Sequence, residues 1–212
     1  MTLPALTVLI VFTAVLAIRA KYNGPAASVY IFKPLTTILI LLTACMADTS
    51  LSTAYQRLIL LGLLCSLAGD VFLMLPGDRF ILGLASFLIA HIFYITAFTC
   101  GPGPDSTPWI FGIILLTGVV MAFLLMPHTG RMKLPVLIYT IVILAMAWQA
   151  WERFHMNGRM NSMSAAAGAT LFVLSDFLLA WNRFRRPFRS AEAVKLSAYF
   201  AAQWLIAASI RQ

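Results

Sequence analysis

Apolar stretches of 14 to 20 residues recur eight times along this chain, near residues 3–18, 34–47, 58–75, 80–98, 109–126, 134–151, 162–181 and 194–210. Polar or turn-forming residues separate each from the next. A helix needs about 20 residues to cross a hydrocarbon layer about 30 Å thick. Within lipid, every backbone N–H and C=O must find its partner inside the protein, which helices achieve within one segment. The chain is therefore predicted to be all-α, a polytopic transmembrane helical bundle of about eight helices. With 212 residues, 61% hydrophobic, 10% charged and a mean hydropathy of +0.91, it leaves little length for anything else. A single transmembrane domain over residues 1–212 is expected. The start, Met1-Thr2-Leu3-Pro4, lacks the charged region of a signal peptide, so the first run is expected to be retained as a helix.

The net charge is +8, from 15 Lys and Arg against seven acids. The positives fall between apolar runs, where they set topology, and no basic aromatic stripe accompanies them. Nucleic acid is excluded as a partner on that ground, and membrane lipid takes its place. Counting alternate loops, eleven cations (Arg19, Lys21, Lys33, Arg79, Arg131, Lys133, Arg183, Arg185, Arg186, Arg189 and Lys195) fall on one side, against Arg57, Arg153, Arg159 and Arg211 on the other. The richer side is predicted to be cytoplasmic and both termini outside, in a cell membrane that would be the inner membrane in a bacterial host. Cys45, Cys65 and Cys100 have no metal-ligand spacing, so neither a disulfide framework nor a metal site is expected.

Of the seven acids, Asp48, Asp78, Asp105, Glu152 and Glu192 lie in loops or at helix ends, whereas Asp70 and Asp176 sit inside apolar runs. A carboxylate at that depth costs several kcal/mol unless it is paired, neutralised or facing water, which makes intramembrane acids functional candidates. Both host helices are predicted to run towards the cytoplasm, and each Asp stands five residues before its run's end, at Leu75 and Trp181. Two acids at one depth can share a cavity. Facing carboxylates there cannot both ionise cheaply, so one is expected to keep its proton while the other stays charged, an acid and an anion side by side. Substituting either by Asn should remove chemistry while preserving shape.

Neighbouring positions suggest a wall for the pair. Ser66 and Gly62 precede Asp70 by one and two turns, and Gly62 leaves room for close helix approach or for a ligand. Ser175 adjoins Asp176, and Gly168 and Phe172 share its face. Phe87, His91 and Tyr94 form a stripe on the fourth run. His91, Tyr94, Tyr139, Asn182 and Gln203, with Ser66 and Ser175, are candidate substrate contacts, with structural hydrogen bonds between helices as the alternative. No serine-histidine-aspartate set, phosphate-binding glycine loop or His-x-x-x-His pair is present.

At these residues the sequence resembles the lysoplasmalogenase family of membrane proteins, also called YhhN-like. The likeness lies in Gly62-Leu63-Leu64-Cys65-Ser66-Leu67-Ala68-Gly69-Asp70-Val71-Phe72-Leu73-Met74-Leu75, in Phe80, Gly83, Phe87, His91 and Tyr94, and in Gly168, Phe172 and Ser175-Asp176. Lys33-Pro34, ahead of the second run, and Tyr199 to Gln203 add to it. The resemblance implies a hydrolase that cleaves the vinyl ether of a lysoplasmalogen to a fatty aldehyde and glycerophospho-ethanolamine or glycerophospho-choline. No metal or organic cofactor is implied. Vinyl ethers resist base and yield to acid, because protonation of the β-carbon makes an oxocarbenium ion that water captures. One protonated Asp can supply that proton and one ionised Asp can stabilise the cation. The lysophospholipid phosphate is expected at the cytoplasmic rim near Lys33. An intramembrane aspartyl protease also uses two membrane acids but shows Gly-x-Gly-Asp, and position 67 here is Leu67. The rival from another class is a proton-coupled lipid or small-molecule transporter using the same acids as a relay.

Overall fold

The computed structural model describes residues 3–47, 53–100, 107–186 and 188–211. The expected turn at Gly101-Pro102-Gly103-Pro104 and the acids Asp48 and Asp105 lie outside them. Every regular element among the described residues is helical: α1 (Leu3–Asn23), α2 (Ala26–Cys45), α3 (Thr53–Met74), α4 (Phe80–Thr99), α5 (Pro108–Leu125), α6 (Lys133–Asn157), α7 (Met160–Phe184) and α8 (Ala191–Ala208), with two single turns of tighter helix, Met126–His128 and Gly130–Met132, between α5 and α6. Seven helices are long and apolar enough to cross a membrane by length and composition. The eighth, α8, has 18 residues, about 27 Å of rise, and mixes Glu192, Lys195 and Gln203 among its apolar positions. Those three polar residues lower its hydropathy, and of them Gln203 is fully buried in the bundle.

Several helices extend beyond the apolar runs, and two of them, α2 and α7, bear on the site. The expectation placed Lys33-Pro34 before the second helix, but α2 starts at Ala26 and carries Pro34 in its interior. Proline removes one intrahelical hydrogen bond there, a loss that neighbouring helices can absorb in a membrane bundle. Lys33 consequently belongs to a helix face rather than to a loop. At the other end of the chain α7 runs on to Phe184, almost a turn past the apolar run, because Asn182 and Arg183 extend it into polar surroundings. The end of α6 is set by Gly158, whose φ of +60° is a left-handed cap that suits glycine.

Successive helices pack side by side except for α4 and α5, and α8 closes the arrangement by lying against α7, α2, α1 and α3. Helix α4 reaches across to α6, whereas α5 is peripheral and buries only Ile110, Met121 and Leu125. Of the two uses expected for Gly62, close approach is the one observed, since a Cβ there would stand 2.2 Å from the ring of Tyr94. Gly168 plays the same part between α7 and α8, where a Cβ would meet the Ala202 carbonyl oxygen at 2.9 Å and the Ile206 nitrogen at 3.1 Å. Those are backbone atoms and cannot rotate away. Gly168→Ala is expected to cost about 1–3 kcal/mol by overpacking, read as a lower Tm in detergent. Gly112→Ala on α5, where nothing lies within 4 Å, should leave Tm unchanged or slightly raised. Equal Tm changes for the two variants would refute the close-packing account.

One end of the bundle is tied by a buried acid. The Glu152 carboxylate accepts hydrogen bonds from the backbone N–H and the hydroxyl of Thr107, each at 2.8 Å, and from the Trp148 indole at 2.8 Å. Thr107 is the residue before α5, so this carboxylate holds the helix start against the end of α6. The cavity that holds Asp70 and Asp176 is lined by five cations, Lys21, Lys33, Arg79, Arg183 and Lys195.

Candidate active site

A cavity of about 550 Å³ enters the bundle between α1, α2, α3, α7 and α8, and both Asp70 and Asp176 line it. The expected equal depth is not met in detail: Asp70 stands one turn before the end of α3, Asp176 two turns before the end of α7. The extra length of α7 accounts for the difference, and the two acids still reach one space.

The Asp70 half is built by three helices. Lys33 and Thr37 are one turn apart on α2 and share a face. The Lys33 ammonium lies 2.9 Å from Asp70 Oδ1 and the Thr37 hydroxyl donates to Oδ2 at 2.8 Å. From α8, the Tyr199 hydroxyl donates to the same Oδ2 at 2.7 Å. Behind Tyr199 the network continues away from the cavity. The Gln203 amide donates to the Tyr199 hydroxyl at 3.2 Å, the Tyr94 hydroxyl donates to Gln203 Oε1 at 3.0 Å, and Ser66 Oγ lies 3.5 Å from the Tyr94 oxygen. Since Tyr94 spends its proton on Gln203, Ser66 is the donor in that last contact.

The Asp176 half repeats part of this plan with other residues. The Tyr139 hydroxyl of α6 donates to Asp176 Oδ2 in a short hydrogen bond. His91 Nε2 lies 2.9 Å from the Tyr139 oxygen and 3.5 Å from Asp176 Oδ2. Each carboxylate is thus held by a tyrosine that is itself held from behind, by Gln203 in one case and His91 in the other. The His91 ring is fully buried and packs edge-on to Phe172 at 4.7 Å between centroids. The difference lies in the cations. Asp70 has Lys33, whereas no Lys or Arg stands within 4 Å of Asp176 among the described residues, and Asp176 Oδ1 has no protein hydrogen-bond partner there.

The other expected site residues divide into two groups. Lys33, Ser175 and Asn182 line the cavity, and the Asn182 amide donates to Glu192 at 3.4 Å. Ser66, His91, Tyr94, Tyr139 and Gln203 stand behind the carboxylates, outside the wall of the large cavity. Lys33 is engaged by Asp70 rather than left open at a rim. Thr37 was not singled out in the sequence, because threonine is common in apolar helices and only its spacing from Lys33 hints at a role. Glu192 was read as a loop or helix-end acid and Lys195 as a loop cation that sets topology, yet both line the cavity. Among the described residues no group of three or more His, Cys, Asp or Glu is placed to hold a metal ion.

Residues 28–210 match the YhhN family, nearly the whole chain. The chain belongs to the YhhN family. It is 31% identical to the uncharacterized membrane protein YhhN of Escherichia coli O6:H1, over 93% of this chain and 94% of that one. It is 37% identical to lysoplasmalogenase TMEM86B of Homo sapiens, over 74% of this chain and 65% of the human one. With lysoplasmalogenase TMEM86B of Sus scrofa the identity is 36% over 84% and 73% of the two chains. No solved structure matches the chain. The YhhN match covers Lys33, Thr37, Asp70, Asp176 and Tyr199, so both halves of the site lie within it.

Proposed function

We propose that this YhhN-family membrane protein is a lysoplasmalogenase, hydrolysing the vinyl ether of a lysoplasmalogen with Asp176 as the general acid and Asp70 as a fixed anion. The observation that carries the reading is the unlike company of two acids in one cavity. Asp70 faces an ammonium and two hydroxyl donors, so a negative charge on it is met from three sides. Asp176 has no such cation, so it is the acid assigned to carry a proton into the cavity. The named lysoplasmalogenases among its relatives support the substrate class.

The reaction follows from those roles. Asp176 delivers its proton to the β-carbon of the vinyl ether, and the π electrons of the double bond form the new C–H bond. The positive charge that appears on the α-carbon and ether oxygen is stabilised by the Asp70 carboxylate, which needs no reorganisation because Thr37, Tyr199 and Lys33 already hold it. Water adds to the α-carbon and releases a proton to Asp176, which restores the acid. The resulting hemiacetal collapses to a fatty aldehyde, and the ether oxygen leaves as the glycerol hydroxyl. On this reading the cavity mouth faces the cytoplasm and both termini lie outside, following the distribution of cations.

Purified protein in detergent, given a 1-alkenyl lysophospholipid or its saturated 1-alkyl counterpart, should release aldehyde from the alkenyl lipid alone. Absence of aldehyde from both, or lipid movement in proteoliposomes without cleavage, would overturn the proposal in favour of a transport role.

A further inference from the structure

We infer that the outer part of the cavity is a binding subsite for a zwitterionic phospho-amine headgroup, with Lys195 and Lys21 taking the phosphate and Glu192 the ammonium. The inference rests on the lysoplasmalogenase reading for its substrate and deepens it.

Five cations line the cavity, and three of them are paired: Lys33 with Asp70, Arg183 with Asp78, and Lys195 with Glu192. The pairs differ in setting. Arg183 and Asp78 are 43% and 63% exposed at the rim, where an ion pair contributes little. Lys195 and Glu192 are 15% and 29% exposed and 2.7 Å apart, so their charges act through less water. Lys21, in the last turn of α1, has no carboxylate within 4 Å among the described residues and lines the same cavity as both. The cluster is held in place from two sides. Asn182 donates to Glu192, and the backbone N–H of Ala193 donates to the Tyr22 hydroxyl at 3.0 Å, which pins the start of α8 to α1. A lysine beside a glutamate presents opposite charges side by side, which complements a ligand whose phosphate and ammonium are also adjacent.

Spacing along α8 matches the ligand. Lys195 lies one turn before Tyr199, about 6 Å along the axis, and Tyr199 touches Asp70. In an extended lysoplasmalogen, phosphorus and the vinyl ether oxygen are also about 6 Å apart, given bonds near 1.5 Å along a zigzag. Phosphate at Lys195 therefore sets the vinyl ether at the level of Asp70. The ammonium lies a further two carbons outward, and Glu192 stands about 4.5 Å outward of Lys195 on the same helix. Lys33, already spent on Asp70, is then free of any role in holding phosphate.

The test uses the full-length protein in detergent and two readouts. The first is the ratio of kcat/KM for an alkenyl glycerophosphoethanolamine over the headgroup-free alkenylglycerol. Lys195→Met should lower that ratio about thirtyfold and Glu192→Gln about tenfold, as loss of charge-assisted contacts predicts. Lys195→Arg, which keeps the charge, should retain most of it. The second readout is thermal stabilisation by the uncleavable 1-alkyl glycerophosphoethanolamine, by the 1-alkyl glycerophosphate lacking the amine, and by 1-alkylglycerol. Wild type should rank them in that order, Glu192→Gln should erase the first step and Lys195→Met both. Inorganic phosphate should give no stabilisation; a shift equal to the lipid's would make this a plain phosphate site and overturn the assignment. Ratios and rankings unchanged in the variants would also overturn it. If wild type ranks the lipids as expected yet cleaves none, the headgroup subsite stands and the hydrolase reading falls.

Discussion

Asp176→Asn is expected to abolish aldehyde release while the protein keeps its thermal stability. The amide retains the carbonyl oxygen that accepts from Tyr139, so the hydrogen bond holding α6 to α7 survives. No lysine or arginine loses a counter-charge, because none pairs with Asp176 among the described residues. What disappears is the acidic proton, and loss of a general acid typically lowers the rate about 10²- to 10⁴-fold. The check is single-turnover aldehyde release beside a Tm measured in the same detergent. Near wild-type cleavage by a stable Asn variant would sink the assignment of Asp176 as acid.

Asp70→Asn should behave differently, and the contrast tests the two roles. Here the amide leaves the Lys33 ammonium without its carboxylate, on a side chain that is only 12% exposed. Removing one partner of a buried pair costs about 3–5 kcal/mol, which at about 2–4 °C per kcal/mol lowers Tm by roughly 10 °C. Activity should fall about 10²-fold or more as well, because the anion that stabilises the oxocarbenium ion is gone. The double variant Lys33→Met/Asp70→Asn removes the stranded charge and should recover most of the stability with none of the activity. Recovery of activity along with stability would mean that Asp70 serves only to neutralise Lys33. The sequence alone suggested that both Asn variants would keep their shape; the Lys33 pairing makes Asp70 the exception.

The spans and the two acids were readable because each rests on a local property, a run of apolar residues or a carboxylate within one. Gly62 and Gly168 were legible as small residues next to the acids, although only the packed structure shows that Tyr94 fills the space at Gly62. Contacts that join distant segments left no such mark. Thr37 reaches Asp70 across 33 positions and Tyr199 across 129, and nothing in an apolar helix distinguishes a threonine or tyrosine that meets a carboxylate from one that meets lipid. Lys33 was misplaced because Lys33-Pro34 reads as a helix start, whereas α2 carries its proline inside. The depth of Asp176 shifted for a related reason: polar residues at the end of α7 extend a helix that hydropathy alone terminates early.

Synthesis delivers α8 after the seven apolar helices, yet α8 supplies the tyrosine on Asp70 and is the common neighbour of α1, α2, α3 and α7. A nascent chain threaded into the bilayer without it holds Asp70, Lys33 and Thr37 on two helices and lacks the third side of the cage. The carboxylate is then positioned by two of its three partners, and the outer charges at Lys195 and Glu192 do not yet exist. The reactive centre is complete only when the ring of helices closes, so an unfinished polypeptide surrounded by lipid carries the acid Asp176 without a fully held anion beside it.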